Sequence, residues 1–205
     1  MELFIDTSAS NLLVYILKNE KIVNFKIIND IQTLSTKALV TIDECLKECR
    51  SSTKEIKRIY VVTGPGSFTG LRVGLSIIKT MAYLLKIDVI PISSLEVLAS
   101  TEIKTDLCIP YIDARRGYVY AGIYNGDLTT ALEDQYIYID ELIKMIPKGK
   151  SYTFISNDNV IENTQVPVEE IERVIFKHKN DNPVNIHELK PNYLKKTEAE
   201  EKLGV

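Results

Sequence analysis

Arg58-Ile-Tyr-Val-Val-Thr63-Gly64-Pro65-Gly66-Ser67-Phe68-Thr69-Gly70-Leu71-Arg72-Val73-Gly74 decides the fold. A β-branched run ends in a glycine turn that opens directly onto an apolar helix, and this strand–loop–helix passage is an α/β device. Gly64 and Gly66 permit positive φ and close backbone approach. Ser67 and Thr69 are candidate caps for the helix. The N–H groups of its first turn, with the helix dipole behind them, could face a phosphate, or the loop could simply turn the chain. Neither standard nucleotide fingerprint fits. No Lys-Ser/Thr pair closes a P-loop, and Thr69 stands where G-x-G-x-x-G needs its third glycine.

Working outward, two segments share a design. Leu3-Phe-Ile-Asp6-Thr7-Ser8 followed by Leu12–Leu17 matches Cys108-Ile-Pro-Tyr-Ile-Asp113-Ala-Arg115-Arg116 followed by Tyr118–Tyr124. Each reads as strand, Asp-led bend, strand and tight turn, which suggests two related halves, although short hairpins also resemble one another by chance. In the first half a third strand over Ile22–Ile28 is expected. A helix from Thr33 to Arg50 follows, with Leu34, Ala38, Leu39, Ile42, Cys45, Leu46 and Cys49 at helical spacing. The helix Leu71–Leu85 is apolar nearly all round and needs cover on more than one side, from its own fold or from a partner. Gly70 and Gly74, one turn apart, would let another backbone approach. Beyond Asn125 the pattern is faint: weak alternation at Tyr136–Asp140, a short helix at Glu141–Ile146, a strand at Tyr152–Ser156, then a mixed polar stretch over Val160–Lys179. The Glu198–Lys202 run is expected to fray.

The chain has 205 residues, 45% of them hydrophobic, and a formal net charge of −3. That supports a buried core and gives no global positive field to hold a polyanion, so independent nucleic-acid binding is not expected. Arg115-Arg116 and Lys195-Lys196 read as solvated surface. No leader or membrane-length apolar run stands out, and three cysteines without zinc-site spacing suit a reducing compartment, so a cytoplasmic protein is expected. His178 and His187 are the only histidines and do not form a metal pair. Asp6 and Asp113 could hold a Mg²⁺–water or serve as base, with Thr7, Ser8, Arg115 and Arg116 on the adjoining loops, or each could cap its own turn. Ser67 has no histidine partner in motif context, which argues against a catalytic triad.

Gly64–Gly74 as a string, together with Leu3–Ser8, Ile112-Asp113-Ala-Arg115-Arg-Gly117-Tyr-Val-Tyr120, and Pro191-Asn-Tyr193-Leu-Lys195 followed by Glu198-Ala-Glu200, resembles the signature of the TsaB (YeaZ) family. The four blocks occur in the family's order. The resemblance implies an actin-like, RNase-H-like fold of two βββαβα lobes with a reduced second lobe, here residues 1–103 and 104–205. It also implies an accessory, non-catalytic role beside the TsaD catalytic subunit in making the threonylcarbamoyladenosine of tRNA, with the ATPase TsaE joining the pair.

The family's partner helices fall on Thr33–Arg50 and Leu71–Leu85, which makes Leu39, Ile42, Leu46, Arg72, Val73, Gly74, Ile77 and Met81 the expected interface. Homodimers of the isolated chain are expected through the same surface. No cofactor or metal of its own is implied, tRNA is met only indirectly, and ATP or ADP could lie at the subunit junction. The helix where TsaD carries its metal-binding histidines reads Leu34-Ser-Thr-Lys-Ala-Leu39, without histidine. A stand-alone actin-fold ATPase or kinase, using Asp6, Thr7, Ser8, Asp113 and the Gly64–Gly70 loop, is the rival reading. A glycoprotease, an older description of such chains, is a weaker one.

Overall fold

The computed structural model describes residues 1–29 and 34–195. Thr33, the expected start of the first helix, and the Lys196, Glu198–Glu200 and Lys202 positions lie outside the described residues. The chain divides into two units. Met1–Ser94 is joined by Ile171–Pro191 in the first, and Leu95–Glu170 with the described residues from Asn192 makes the second. The expected division at residue 103 is therefore corrected: a stretch of twenty-one residues from the second half of the sequence belongs to the first unit.

The first unit is built on a five-stranded sheet of order β3-β2-β1-β4-β5, formed by β1 (Glu2–Asp6), β2 (Leu12–Lys18), β3 (Lys21–Ile28), β4 (Arg58–Gly64) and β5 (Asp88–Ser93). The first three run as an antiparallel meander; β4 pairs with β1, and β5 with β4, in parallel. Helices α1 (Leu34–Glu48) and α2 (Phe68–Leu85) supply one side of the core. Leu34, Ala38, Ile42, Cys45 and Leu46 of α1 and Leu75, Ile78, Met81 and Ala82 of α2 pack with Leu3, Ile5, Val14, Ile59, Val61 and Val89. These positions recur at three and four along the helices and at two along the strands, so one face of each element meets the other. Helix α5 (Ile171–His178) is tied to the same sheet: the Ile22 N–H donates to Glu172 Oε1 at 2.9 Å and Arg58 donates to the Lys179 carbonyl.

The apolarity of α2 has two explanations in the fold. By length and composition this helix could cross a membrane, contrary to the sequence expectation that no such run exists. Its inner face is instead buried on the sheet. One flank is covered by residues 184–189 of the chain itself: Leu189 joins the core, with Val184 and Ile186 packed against it. Lys79 Nζ donates to the Leu189 carbonyl at 3.0 Å and Tyr83 meets the His187 ring edge-on at 5.8 Å.

The second unit repeats the plan in smaller form. β6 (Leu107–Asp113), β7 (Tyr118–Asn125), β8 (Thr130–Tyr138) and β9 (Tyr152–Ile155) form a sheet of order β8-β7-β6-β9, with β6–β7–β8 antiparallel and β9 parallel to β6. β6 to β9 thus stand as β1 to β4 do. Helix α4 (Ile139–Met145) packs Leu142 onto Leu107, Ile109, Tyr111, Val119, Ala121, Ile123 and Ile137. The short helix α3 (Ser94–Ala99) begins where the first unit ends.

Burial has a chemical consequence at α1. Cys45 is fully buried, and desolvation pushes its thiol up to about 11, since a low-dielectric interior disfavours the thiolate. The unfolded chain would release that proton first, so the associated stability is present below pH 9 and is lost as the pH rises toward 11. Native alkylation at pH 8 followed by peptide mass spectrometry is expected to label half-buried Cys49 well ahead of Cys45; equal labelling would contradict the packing of α1.

Candidate functional site: the glycine loop and the β1–β2 turn

The glycine loop does its work against the chain itself. Asp6, Thr7 and Ser8 are all buried. The Asp6 carboxylate accepts from the Ser8 N–H at 2.6 Å, an Asx turn that ends β1. The Ser8 carbonyl in turn accepts from the Ser67 N–H at 2.6 Å. Ser67 is the N-cap of α2; its hydroxyl accepts from the Gly70 N–H at 3.2 Å and its carbonyl from the Leu71 N–H at 2.9 Å. Thr69 does not share the capping: it lies inside the first turn of α2 and is exposed. The Ser94 hydroxyl donates to the Pro65 carbonyl and fastens the loop from its other side.

The small residues are required by this contact. A Cβ on Gly66 would collide with the Ser8 carbonyl oxygen, one on Gly70 with the Thr7 carbonyl oxygen, and one on Gly74 with Thr7 Oγ1. The start of α2 therefore rides directly over the β1–β2 turn. The Ser8 carbonyl, itself a hydrogen-bond acceptor, occupies a donor that the glycine loop would otherwise offer to an anion.

The counterpart in the second unit is also self-satisfied. Asp113 Oδ1 accepts from the Arg115 N–H at 2.8 Å, and Oδ2 lies 3.3 Å from Arg115 Nη1. The Asp113 N–H donates to Asp158 Oδ2 at 2.8 Å, a partner that nothing in the sequence around Asp113 announces. Arg115, Arg116 and Gly117 all have positive φ, at 71°, 57° and 80°, and make a tight exposed turn. The structure thus brings Asp6, Thr7, Ser8, Gly66, Ser67, Gly70 and Gly74 together in the first unit, and Asp113 with Arg115 in the second.

The expected interface separates into two groups. Ile42 and Leu46 are 1% and 0% exposed, Met81 is 7% exposed and Gly74 is pressed on Thr7; the four are spent inside the first unit and offer no surface to a partner, which corrects their assignment. Leu39 is 53% exposed, Val73 and Ile77 are half-buried, and Arg72 is exposed with its guanidinium 4.0 Å above the Phe68 ring. The expected interface did not include Val40, Tyr83 and Leu84, which also reach solvent. The two histidines are engaged separately, His178 with Asp181 Oδ2 at 2.6 Å and His187 with Tyr83.

Two half-repeated sheets, each opening on an Asp-led hairpin, make this an actin-like α/β protein, and its glycine loop is closed by its own first hairpin. The chain belongs to the TsaB (YeaZ) family. A TsaB protein of tRNA threonylcarbamoyladenosine biosynthesis from Bacillus subtilis is 30% identical over 98% of this chain and 96% of its own length. The family model for TsaD, tRNA N6-adenosine threonylcarbamoyltransferase, matches residues 30–178. Among solved structures, a Pseudomonas aeruginosa protein described as similar to the peptidase YeaZ superposes with a TM-score of 0.80 at 20% identity, over 95% of this chain and 99% of that one. YeaZ of Pseudomonas aeruginosa superposes at 0.73 and 19% identity, over 93% and 99%.

Proposed function

We propose that this chain is an accessory subunit of tRNA threonylcarbamoyladenosine synthesis, which binds and stabilises a TsaD-like catalytic subunit, together with a TsaE-like ATPase, and performs no chemistry itself. Its full-length kinship to a TsaB protein supports the pathway. The observation that carries the non-catalytic reading is the Ser8 carbonyl seated on the Ser67 N–H, with Gly66, Gly70 and Gly74 closed over Thr7 and Ser8. A phosphate at this helix N-terminus would need its N–H groups free, whereas here the Ser67 N–H is taken by the Ser8 carbonyl and the Gly70 N–H by the Ser67 hydroxyl. Asp6 and Asp113 spend carboxylate oxygens on their own turns, which leaves them poorly disposed as base or Mg²⁺ ligand. The separate engagement of His178 and His187 speaks against a glycoprotease.

The surface offered to the catalytic subunit is the solvent side of α1 and α2, centred on Leu39, Val73 and Ile77, with Arg72 at its margin. Exposed Leu39 and half-buried Val73 and Ile77 on two neighbouring helices suit a helix-bundle contact, and without the partner the same surface pairs with a second copy. Nucleotide, if present, belongs to the subunit junction, and the assembly works in the cytoplasm.

Titration calorimetry of the isolated chain with ATP and Mg²⁺ is expected to show no binding in the micromolar range, and Asp6→Ala no change in that result. Micromolar binding abolished by Asp6→Ala would overturn the reading in favour of a stand-alone ATPase.

A further inference from the structure

On the second unit, the sheet face opposite to the one packed by α4 carries an aromatic slab. Tyr118 and Tyr120 of β7 lie opposite Tyr138 and Tyr136 of β8 in register. Their rings are continuous: Tyr118 and Tyr136 stack at 4.7 Å with planes 8° apart, Tyr118 and Tyr138 meet edge-on at 5.3 Å, and Tyr120 and Tyr136 tilt at 5.6 Å. Core side chains of the same strands, Val119, Ala121, Ile123 and Ile137, point to the other face, so the tyrosines are not needed to fill that core. Tyr118 and Tyr138 remain 37% and 40% exposed.

Cations border the slab. Lys195 Nζ lies 5.2 Å from the centre of the Tyr136 ring. The Arg115-Arg116-Gly117 turn leads straight into Tyr118; Arg116 is exposed, and the Arg115 side chain is 88% exposed with its guanidinium 3.3 Å from Asp113 Oδ2. Gly117 supports the other end, since a Cβ there would sit 2.6 Å from the Tyr138 ring. Stacked aromatic rings with an ammonium group beside them and a basic turn adjoining are the chemistry by which unpaired nucleotides are held: the base stacks on a ring and the cation meets the phosphate.

We propose that this tyrosine face binds an unpaired loop nucleotide of the tRNA while the catalytic subunit works on it. The proposal rests on the accessory-subunit reading above and adds a direct RNA contact to it. The contiguous rings, with Lys195 at one of them and the basic β6–β7 turn running into another, fit a footprint of one or two nucleotides. That suits a weak contact made within a complex by a chain of net charge −3, rather than independent tRNA binding.

The test uses the complete complex and unmodified tRNA. Irradiation at 254 nm and peptide mass spectrometry are expected to find RNA attached to peptides containing Tyr118 or Tyr138. Tyr118→Ala with Tyr138→Ala is expected to raise the KM for tRNA by about tenfold with kcat little changed, as for the loss of one stacked base. Tyr118→Phe should behave as wild type because the ring is kept. Arg116→Gln should flatten the salt dependence of tRNA binding by up to about 0.7 in log–log slope, the loss of one single-strand phosphate contact. An unchanged KM in a folded Tyr118→Ala/Tyr138→Ala variant would overturn the inference. So would loss of the catalytic subunit from that variant, which would make the face a protein-docking surface. Modification that proceeds equally well without the chain would instead overturn the accessory reading itself.

Discussion

Gly70→Ala is expected to destabilise the protein by about 3 kcal/mol, lowering the thermal midpoint by roughly 6 to 12 °C for a chain of this size. The sign matters more than the size. In the interior of an exposed helix, glycine to alanine stabilises by up to about 1 kcal/mol. Here the new methyl group meets the Thr7 carbonyl oxygen, a main-chain atom between the end of β1 and the Ser8 N–H of the Asp6 Asx turn, with no rotamer by which to move away. Gly74→Ala meets Thr7 Oγ1 and Cγ2 instead, a side chain that can be removed. Thr7→Ala is therefore expected to recover much of the loss in Gly74→Ala, with a coupling of about 1–2 kcal/mol, and almost none of it in Gly70→Ala. Urea denaturation of the three single and two double variants reads both outcomes. Stabilisation by either glycine substitution would show that the start of α2 stands away from the hairpin and that the loop is open.

The second large effect separates burial from binding on a single helix. Ile42 is 1% exposed and lies in the core of the first unit, while Leu39, three residues earlier, is 53% exposed. Ile42→Asp places a carboxylate without a partner among Leu3, Val14, Ile59 and their neighbours. It should cost more than about 4 kcal/mol and leave little folded protein. Leu39→Asp should change stability by no more than about 0.5 kcal/mol, yet weaken association with a TsaD-like subunit by at least about 2 kcal/mol, some thirtyfold, if Leu39 is a central anchor of the contact. Circular dichroism and a pull-down of the catalytic subunit measure the two effects independently. A folded Leu39→Asp chain that still binds at full strength would move the partner surface away from α1.

Much of the first unit could be read from the chain. Strand alternation, the apolar stripe of α1 and the passage from Val62 through the glycine loop into α2 each follow local periodicity, and the structure reproduces them within a few residues. The kinship of the two Asp-led hairpins was visible as well, and the matching positions of β1–β4 and β6–β9 bear it out. What escaped was long-range. Helix α5 has only eight residues, and its apolar positions Ile171, Val174 and Ile175 span little more than one turn, too few for a periodic signal. Residues 184–189 carry no regular pattern, yet they supply cover for α2 that the sequence could equally have assigned to a partner. Ile42, Leu46 and Met81 share their helices with exposed apolar positions, and hydrophobicity alone does not separate core from interface.

The site was legible in composition and not in arrangement. Asp6 and Ser67 announced an Asx turn and a helix cap through side-chain chemistry that acts within three residues. That Gly70 and Gly74 exist to admit Thr7, more than sixty positions away, is a tertiary fact. The tyrosines on β7 and β8 alternate plainly in sequence, but only the register of Tyr118 on Tyr138 and Tyr120 on Tyr136 makes them one surface.

The central claim, that this chain is needed for tRNA threonylcarbamoylation without carrying out the reaction, is tested most directly by a dropout reconstitution. Unmodified tRNA, threonylcarbamoyl-adenylate, a TsaD-like and a TsaE-like protein are incubated with and without this chain, and modified adenosine is scored by mass spectrometry. The account predicts modification only when the chain is present, and none from the chain alone. Equal modification in its absence would contradict the claim and leave the family relationship as one of ancestry and fold.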